Sequence, residues 1–318
     1  MEKKNYACLK MKNPLFSLGQ RLGLKKIPLF SLGQRLGLNI TLKTFESPVP
    51  DLTELDDDLW SRRSELIGIN SNKKQQLELL SSFVSTYRNE YEQFPLEKTG
   101  ILHEYYVNNG SFGSVDGDVL YCMIRRFKPH RLIEIGSGFS TRLIVQSILK
   151  NKEEDDQYKC HFTTIDPFPS DIVRTGFPHF SSSQLICKKV QHVPLSEFSK
   201  LSENDILFID TSHVLKTGGD VAYEYLEILP RLEKGVIIQI HDIFLPVEYP
   251  KVWLFDSNNF FNEQYLLQAF LAFNNSFEVI WAGNYMNLNY PDALEKAFSS
   301  YQRAEQWNGS SVWIRKMD

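Results

Sequence analysis

Residues 131–141 read RLIEIGSGFST, the segment from which the fold can be predicted. Its first five residues are typical of a buried strand, and a helix is predicted to begin near Ser140. Between them, Gly136 permits a tight turn and Gly138 lets a ligand approach the backbone closely. The free N–H groups at the start of the helix would attract a carboxylate or a phosphate. The unit is typical of doubly wound α/β proteins.

Short apolar runs alternate with helical stretches on either side of this unit, from about Asn108 onward. Their hydrophobicity is continuous, which suits strands that are buried on both faces of a parallel sheet. The sequence therefore predicts an α/β fold: a Rossmann-like, doubly wound, mostly parallel seven-stranded sheet with an N-terminal helical extension. The predicted strands are residues 131–135, 161–165, 185–190, 206–209, 235–240, 277–281 and 311–315.

The helical extension is predicted over residues 46–107, ahead of a main domain over residues 108–318. Apolar residues recur at helical spacing in two stretches, first around Leu52–Trp60 and then around Leu77–Tyr87. Asn70 or Ser71 is the predicted N-cap of the second helix, and Pro95 closes the region.

Residues 1–45 form a separate basic tail with nine lysines and arginines but a single acidic residue, Glu2. The segment PLFSLGQRLGL occurs twice in it, at residues 14–24 and 28–38. A recent tandem duplication in a flexible tail is one interpretation, and its glycines weaken any helix there. The other is a basic amphipathic element that touches a membrane surface or a partner.

Composition limits the classes of function. A net charge of −4 and a pI near 6.0 give no reason to expect nucleic acid as a partner. The four cysteines, Cys8, Cys122, Cys160 and Cys187, form no CxxC pair, so neither a zinc motif nor a redox motif is predicted. No apolar run is long enough to span a bilayer, and no signal peptide is recognisable, so a cytoplasmic protein is expected. A homo-oligomer is compatible with the sequence.

Two carboxylates near the glycine turn indicate what it binds. A dinucleotide fingerprint would have a third glycine or alanine where Thr141 stands. Glu134 lies in the preceding strand and could accept hydrogen bonds or face an ammonium group. Asp166 follows the next strand, where a carboxylate suits the hydroxyls of a ribose. This combination predicts a pocket for an adenosyl amino acid.

The segments EIGSGFST, TIDPFP, ILFIDTSHVLKTGGD and IIQIHDIF resemble the successive motifs of class I S-adenosylmethionine-dependent methyltransferases. They are similar to those of a bacterial branch that includes cephalosporin-hydroxylase-like proteins and macrolide sugar O-methyltransferases. The resemblance implies S-adenosylmethionine as cofactor and a small-molecule acceptor. It implies cofactor-binding roles for Glu134, Gly136, Ser137, Gly138, Ser140, Asp166 and Asp210.

The resemblance also implies a divalent cation, Mg²⁺ or another ion, bound by Asp210, His241 and Asp242. His241 departs from the acidic residue expected there, and magnesium prefers an all-oxygen shell. A hydroxyl acceptor must lose its proton, so His213, His241 and Asp210 are the candidate catalytic residues. In the alternative interpretation, His213 caps a helix beginning near Val214, and His241 is an ordinary core histidine.

An aromatic insertion after the fifth strand, residues 244–273, is predicted to be a lid over the acceptor side of the pocket or a plain connection. Its prolines exclude a regular helix over residues 244–250, and a helix is predicted from about Asn262 to Phe273. Two other functions stay open: a catalytically silent adenosylmethionine-binding or scaffold protein, and a NAD-dependent oxidoreductase.

Overall fold

A computed structural model describes residues 29–41, 43–181, 183–303 and 309–318. The chain divides into two compact units, Met1–Leu55 and Asp56–Asp318. In the first unit, helix α1 (Leu29–Arg35) forms within the second copy of the repeat in spite of Gly33, whereas the first copy lies outside the described residues. The hypothesis that the tail touches a membrane or a partner rests mainly on residues outside this range.

The second unit contains the predicted sheet. Its strands are β1 (Arg131–Ile135), β2 (His161–Ile165), β3 (Ser183–Ile186), β4 (Ile206–Ile209), β5 (Ile237–Ile240), β6 (Phe277–Ala282) and β7 (Val312–Lys316). Its helices are α2 (Lys73–Tyr91), α3 (Asp116–Phe127), α4 (Phe139–Glu154), α5 (Asp171–Thr175), α6 (Leu195–Phe198), α7 (Asp220–Tyr223), α8 (Lys251–Phe255), α9 (Glu263–Leu271), α10 (Gly283–Asn289) and α11 (Pro291–Ala297).

The strands are ordered β3-β2-β1-β4-β5-β7-β6. The first five are parallel, and β7 pairs antiparallel with both β5 and β6. The predicted doubly wound, mostly parallel seven-stranded sheet is therefore confirmed. This order differs from the dinucleotide-binding order 3-2-1-4-5-6, because the antiparallel β7 separates β5 from β6.

The central strands are buried on both faces, as their continuous hydrophobicity predicts. Every residue of β4 and β5 is buried. In β4, Ile206 and Phe208 join one core cluster while Leu207 and Ile209 join the other, as expected when successive side chains point to opposite faces. The first cluster packs under α2, α3 and α4, and the second under α6, α7 and α9.

The predicted helical pattern before the main domain is only partly correct. In place of a first helix, the chain forms a single 3-10 turn at Asp57–Ser61, which Asp56 caps by accepting from the N–H of Asp58. The second helix, α2, is confirmed, but the residue before it is Asn72. Its side chain does not cap the helix, because its amide donates to the carbonyl of Val279 instead.

Two further predictions are wrong. The third strand ends at Ile186 because its partner β2 ends at Ile165, and the chain then turns into a 3-10 helix at Val190–His192. His213 caps no helix near Val214, because its φ is +54° and the next helix begins at Asp220. In the insertion, the short helix α8 was not predicted, whereas α9 matches the predicted helix within two residues. Among the described residues, no helix is both long and apolar enough to cross a membrane.

Candidate functional site

The predicted site residues meet at one edge of the sheet, because β1, β2, β4 and β5 run parallel and their carboxyl ends share that edge. Gly136, Asp166, Asp210 and His241 are the residues that follow these strands. The ladder continues through three of them: Gly136 donates to the carbonyl of Ile165 at 2.9 Å, Asp210 to Ile135 at 2.9 Å and His241 to Ile209 at 3.0 Å.

The turn after β1 requires glycine at its first position. Gly136 has a φ of +84°, and a Cβ there would lie 1.8 Å from the carbonyl oxygen of Asp210. Gly138 is extended, and a Cβ built on it meets no atom within 4 Å. Helix α4 begins directly after it, at Phe139. The turn is therefore tight toward Asp210 and open at Gly138, where a ligand could approach the backbone.

Glu134, in strand β1, anchors this turn through its hydrogen bonds. Its side chain is fully buried and accepts hydrogen bonds from the hydroxyls of Ser140 (2.8 Å), Thr141 (2.9 and 3.1 Å) and Thr164 (3.2 Å). Burial raises the pKa of Glu134 to about 8, against the effect of those hydroxyl donors, which lower it. The hydrogen bond between Glu134 and Ser140 thus fixes the start of α4. That these two residues also contact a cofactor stays a prediction.

Asp166 lies on the other side of the turn. Its carboxylate accepts from the N–H of Ser137 at 3.0 Å and from the Ser137 hydroxyl at 2.5 Å. The second oxygen accepts from the N–H of Phe168 at 2.7 Å. The side chain is half-buried, so it is held rigidly beside the glycine turn and still has a face open to solvent.

A second group of polar side chains lies around the residues that follow β4 and β5. We call it the histidine–carboxylate cluster. Asp210 and Asp242 are its more exposed members, with 31% and 19% of their side chains accessible, whereas both imidazoles are 6% accessible. Asp242, like His213, has a φ of +54°, a conformation that non-glycine residues rarely adopt. The cluster consists of Asp116, Asp210, His213, His241, Asp242 and Glu263.

His213 is held from both ends of its ring. Nδ1 lies 2.8 Å from Oε2 of Glu263, which is fully buried on α9. Nε2 lies 3.2 Å from Oδ1 of Asp210 and 3.5 Å from Oδ2 of Asp242. The ring packs on Phe261, with 4.9 Å between centroids. The insertion after β5 therefore supplies both a carboxylate and an aromatic contact to this histidine.

His241 has a similar arrangement on the opposite side. Nδ1 lies 3.5 Å from Oδ1 of Asp210 and 3.4 Å from Oδ1 of Asp242. Nε2 lies 3.4 Å from Oγ of Ser310 and 3.7 Å from Oδ2 of Asp116. The carboxylate of Asp116 is itself held by the N–H groups of Ser310 (2.7 Å) and Ser311 (2.9 Å).

The charges of the cluster shift its pKa values. Burial lowers the pKa of His213 and of His241, but the surrounding carboxylates outweigh it and raise both well above the ordinary value. For Asp210, burial raises the pKa, yet the two imidazoles reverse this and leave it below its usual range. Burial raises the pKa of Asp242. Two cationic rings and anionic carboxylates thus stabilise one another in a buried setting.

Sequence reasoning missed Asp116, Glu263 and Ser310. Asp116 opens α3, far from the strand ends that marked the other site residues, and Ser310 precedes β7. Glu263 begins the predicted helix of the insertion, and its burial could not be read from a single acidic residue at a helix start. The usable signal was the position of Glu263 within the predicted lid.

Comparison with known proteins finds a family model and an archaeal relative that each match part of the chain. A family described as "Methyltransferase domain" matches residues 133–243, which contain the glycine turn and most of the cluster. An uncharacterised protein of Archaeoglobus fulgidus is 35% identical over 170 residues, covering 51% of this chain and 73% of its own length.

Solved structures that match this chain share little sequence with it. The SAH-bound methyltransferase PaMTH1 of Podospora anserina is 15% identical with a TM-score of 0.41, covering 76% of this chain and 88% of its own. An O-methyltransferase of Bacillus cereus in complex with SAH is 10% identical with a TM-score of 0.36, covering 76% and 91%. By the match over residues 133–243, which contain the glycine turn, the chain belongs to the family described as "Methyltransferase domain".

Proposed function

We propose that the protein transfers a methyl group from S-adenosylmethionine to a hydroxyl of a small molecule or sugar. The observation that carries the proposal is the contact between the glycine turn and the histidine–carboxylate cluster, where Gly136 packs against the backbone of Asp210. A ligand in the turn would therefore have its reactive end beside side chains that can accept a proton.

The residues around the turn fit an adenosyl amino acid. The open space at Gly138 and the N–H groups of the first turn of α4, which have no acceptor within the helix, suit a carboxylate. Ser137 and Asp166 are joined by two hydrogen bonds, and the exposed face of Asp166 suits the hydroxyls of a ribose. In this proposal Glu134 and Ser140 act by holding the turn, and Asp210 borders the methyl group.

The cluster supplies the acid–base chemistry. S-adenosylmethionine, when bound, supplies a methyl group on a sulfonium that is open to in-line displacement by the acceptor oxygen. Asp210 is the cluster member most open to solvent and would contact the acceptor hydroxyl, with His213 and His241 directly behind it. In this proposal the carboxylate of Asp210 orients the hydroxyl and takes its proton as the oxygen–carbon bond forms and the sulfur–carbon bond breaks, while the two imidazoles hold Asp210 in place.

The insertion over residues 244–273 is proposed as the lid on the acceptor side. Its aromatic side chains form a connected group, with Phe244 5.1 Å from Trp253 and Phe261 5.8 Å from both Trp253 and Tyr249. Because Phe261 also touches His213, the group adjoins the cluster and could enclose an apolar or sugar-like acceptor.

A divalent cation is part of the proposal. Donor atoms of Asp210, His241 and Asp242 lie within 4.8 Å of one another, and Nδ1 of His241 is buried without a hydrogen-bond partner among the described residues. These residues fit a cation. A bound ion would supply positive charge that favours loss of the acceptor proton.

The cofactor is tested by calorimetry with S-adenosylhomocysteine and with NADH. Micromolar binding of S-adenosylhomocysteine, its loss in Asp166→Ala and no binding of NADH are expected. The control is Asp171→Ala, which changes a carboxylate at the start of the neighbouring α5. Binding of NADH alone, or of neither ligand, would refute the proposal. If S-adenosylhomocysteine binds but His213→Gln and His241→Gln keep full biological activity, the catalytically silent alternative is correct.

A further inference from the structure

A buried glutamate in the helical segment after β4 has no role in the proposed function. Glu224 is fully buried, and the hydroxyl of Thr211 donates to its Oε2 at 3.3 Å. Its Oε1 is buried without a hydrogen-bond partner, and within the described residues no lysine or arginine pairs with it. An isolated ionised carboxylate in the interior is very costly, so a group in this setting is expected to carry a proton. Its O–H then needs an acceptor.

The backbone at this glutamate departs from the ordinary α-helix. Helix α7 continues as a π-helix at Glu224–Ile228, in which the N–H of Leu229 donates to the carbonyl of Glu224. Such turns are rare and occur frequently at functional sites. The next side chain, Tyr225, packs on Phe270 of α9 with 5.8 Å between ring centroids. The π-helix therefore packs against the helix of the insertion that supplies a carboxylate to His213.

That carboxylate, Glu263, has a free acceptor. Its Oε2 lies 2.8 Å from Nδ1 of His213, whereas its Oε1 is buried without a hydrogen-bond partner among the described residues. The hydroxyl of Tyr225 is buried and unpartnered in the same way. Burial and then the Glu263 carboxylate raise the pKa of the Tyr225 phenol, which shows that the two side chains interact. Two O–H groups that need an acceptor and one oxygen that lacks a donor thus belong to one buried group.

The charged groups around Glu224 favour its neutral form. Burial raises the pKa of Glu224 well above its ordinary value, and Glu263 on α9 and Asp220 on α7 raise it further. His213, in the loop after β4, lowers the pKa of Glu224 by a smaller amount. Asp220 is itself held by the hydroxyl (2.6 Å) and the N–H (3.2 Å) of Ser212. The negative neighbours outweigh the single imidazole.

We infer that Glu224 is a protonated positioning residue whose O–H donates to Oε1 of Glu263. The hydroxyl of Tyr225 donates to the same oxygen. Glu263, fixed in this way, holds the ring of His213 against Asp210. A neutral glutamate satisfies Glu263 without adding a second negative charge beside it. The inference rests on the proposed function for its place in catalysis, where His213 holds Asp210 in place.

The proton on Glu224 is tested by infrared spectroscopy, because a protonated carboxyl has a carbonyl band that a carboxylate lacks. The difference spectrum between the wild type and Glu224→Gln at neutral pH should contain this band. The control is Glu227→Gln, which changes an exposed glutamate of the same π-helix that pairs with Arg231 at 2.8 Å. Its difference spectrum should lack the band.

A second spectrum needs no variant and stays informative if Glu224→Gln fails to fold. Labelling the wild-type protein with ¹³C-glutamate should shift the bands of its protonated glutamates. One such band is expected from Glu134, because burial raises its pKa to about 8. A further shifted band is expected from Glu224.

The hydrogen bond to Glu263 is tested by comparing Glu224→Gln with Glu224→Leu in urea unfolding. Glutamine keeps a donor for Glu263, so the midpoint should equal that of the wild type. Leucine leaves Oε1 of Glu263 unsatisfied and should lower the midpoint. A residue that only fills space would give the opposite order, because leucine has no polar group to bury.

The place of Glu224 in catalysis is tested once an acceptor is known. In Glu224→Leu, kcat should fall about tenfold or more, since a well-placed acid–base group contributes about 100- to 10,000-fold. The KM for the acceptor and the affinity for S-adenosylhomocysteine should stay unchanged, and Glu224→Gln should restore kcat.

Two results would overturn the inference: no protonated glutamate besides Glu134 in the labelled wild type, or a midpoint in Glu224→Leu equal to or above that of Glu224→Gln. Calorimetry with S-adenosylhomocysteine on the wild type separates the two proposals. Cofactor binding without the Glu224 band removes only the protonated positioning residue. The band without cofactor binding removes only the proposed methyl transfer.

Discussion

The carbonyl oxygen of Asp210 occupies the space beside Gly136 where any other residue would have its Cβ. A Cβ built on Gly136 would lie 1.8 Å from that oxygen. This contact joins the turn proposed for the cofactor to the first residue of the histidine–carboxylate cluster. Neither side can shift freely, because both backbones also belong to the parallel ladder through Ile165 and Ile135. The spacing between the two halves of the site is therefore set by the backbone.

Gly136→Ala should destabilise the fold and abolish binding of S-adenosylhomocysteine. The added methyl group meets a backbone atom, and a positive φ alone costs about 1 kcal/mol or more for a residue with a Cβ. Urea unfolding should show a loss of about 2–4 kcal/mol. Gly138→Ala is the matched control: it has free space, so stability should hold while cofactor affinity falls. Equal stability of the two variants would contradict the contact.

Asp118 should make stability depend on pH. Burial raises its pKa from 3.8 to about 7, in spite of hydrogen bonds from Ser300 and Ser114. The folded state therefore holds a proton that the unfolded chain releases, and the resulting stabilisation is lost as pH rises from about 4 to about 7. The full effect is at most about 4 kcal/mol. In Asp118→Asn, the urea midpoint of unfolding should change less between pH 4.5 and 7.5 than in the wild type. An unchanged dependence of the midpoint on pH would show that Asp118 does not titrate in this range.

Phe261→Ala should weaken acceptor use without weakening cofactor binding. The ring contacts His213, Tyr249 and Trp253, so its loss opens the side of the cluster that the proposed lid would cover. Once an acceptor is known, the KM of the variant for that acceptor should be about tenfold higher than that of the wild type. A tenfold change corresponds to the free energy of about one buried aromatic contact. Phe255→Ala changes an aromatic residue of the same insertion that packs on Trp60 instead, and it should leave KM unchanged. Similar kinetics in both variants would argue against a lid at Phe261.

Arg125→Met should lower stability by about 2–4 kcal/mol, because it leaves a partly buried carboxylate without its cation. The guanidinium is 1% exposed and lies 2.8 Å from Glu90, with Asn151 and Glu154 as further partners. Arg88→Met is the control, since Arg88 pairs with Glu92 at 3.6 Å on the exposed face of α2 and should contribute less than about 0.5 kcal/mol. Urea unfolding of both variants gives the comparison.

The sequence predicts the sheet well where burial decides the pattern. The bounds of β1, β2 and β4 match because most of their residues are apolar or β-branched and lie in the interior. Strand β3 is at the edge of the sheet and largely exposed, so its pattern is weaker and its predicted end was wrong. The leucines near Leu52 likewise indicated a helix that the chain does not form.

The candidate site divides in the same way. Residues that follow strands, such as Asp166, Asp210 and His241, could be located because parallel strands bring their carboxyl ends together. Asp116 and Glu263 could not, because they come from a helix before the sheet and from the insertion. Their proximity to the imidazoles depends on tertiary packing, and no regular spacing of residues in the sequence indicates it.

The position of β7 has a consequence for both the sheet and the cluster. Residues 312–316 lie between β5 and β6, so β6 joins the sheet through these residues. Asp116, the carboxylate beside His241, is held by the N–H groups of Ser310 and Ser311, just before the same strand. A chain without this segment would leave β6 unpaired in the sheet and Asp116 without the N–H groups that hold it beside His241, so β7 completes the sheet and the cluster together.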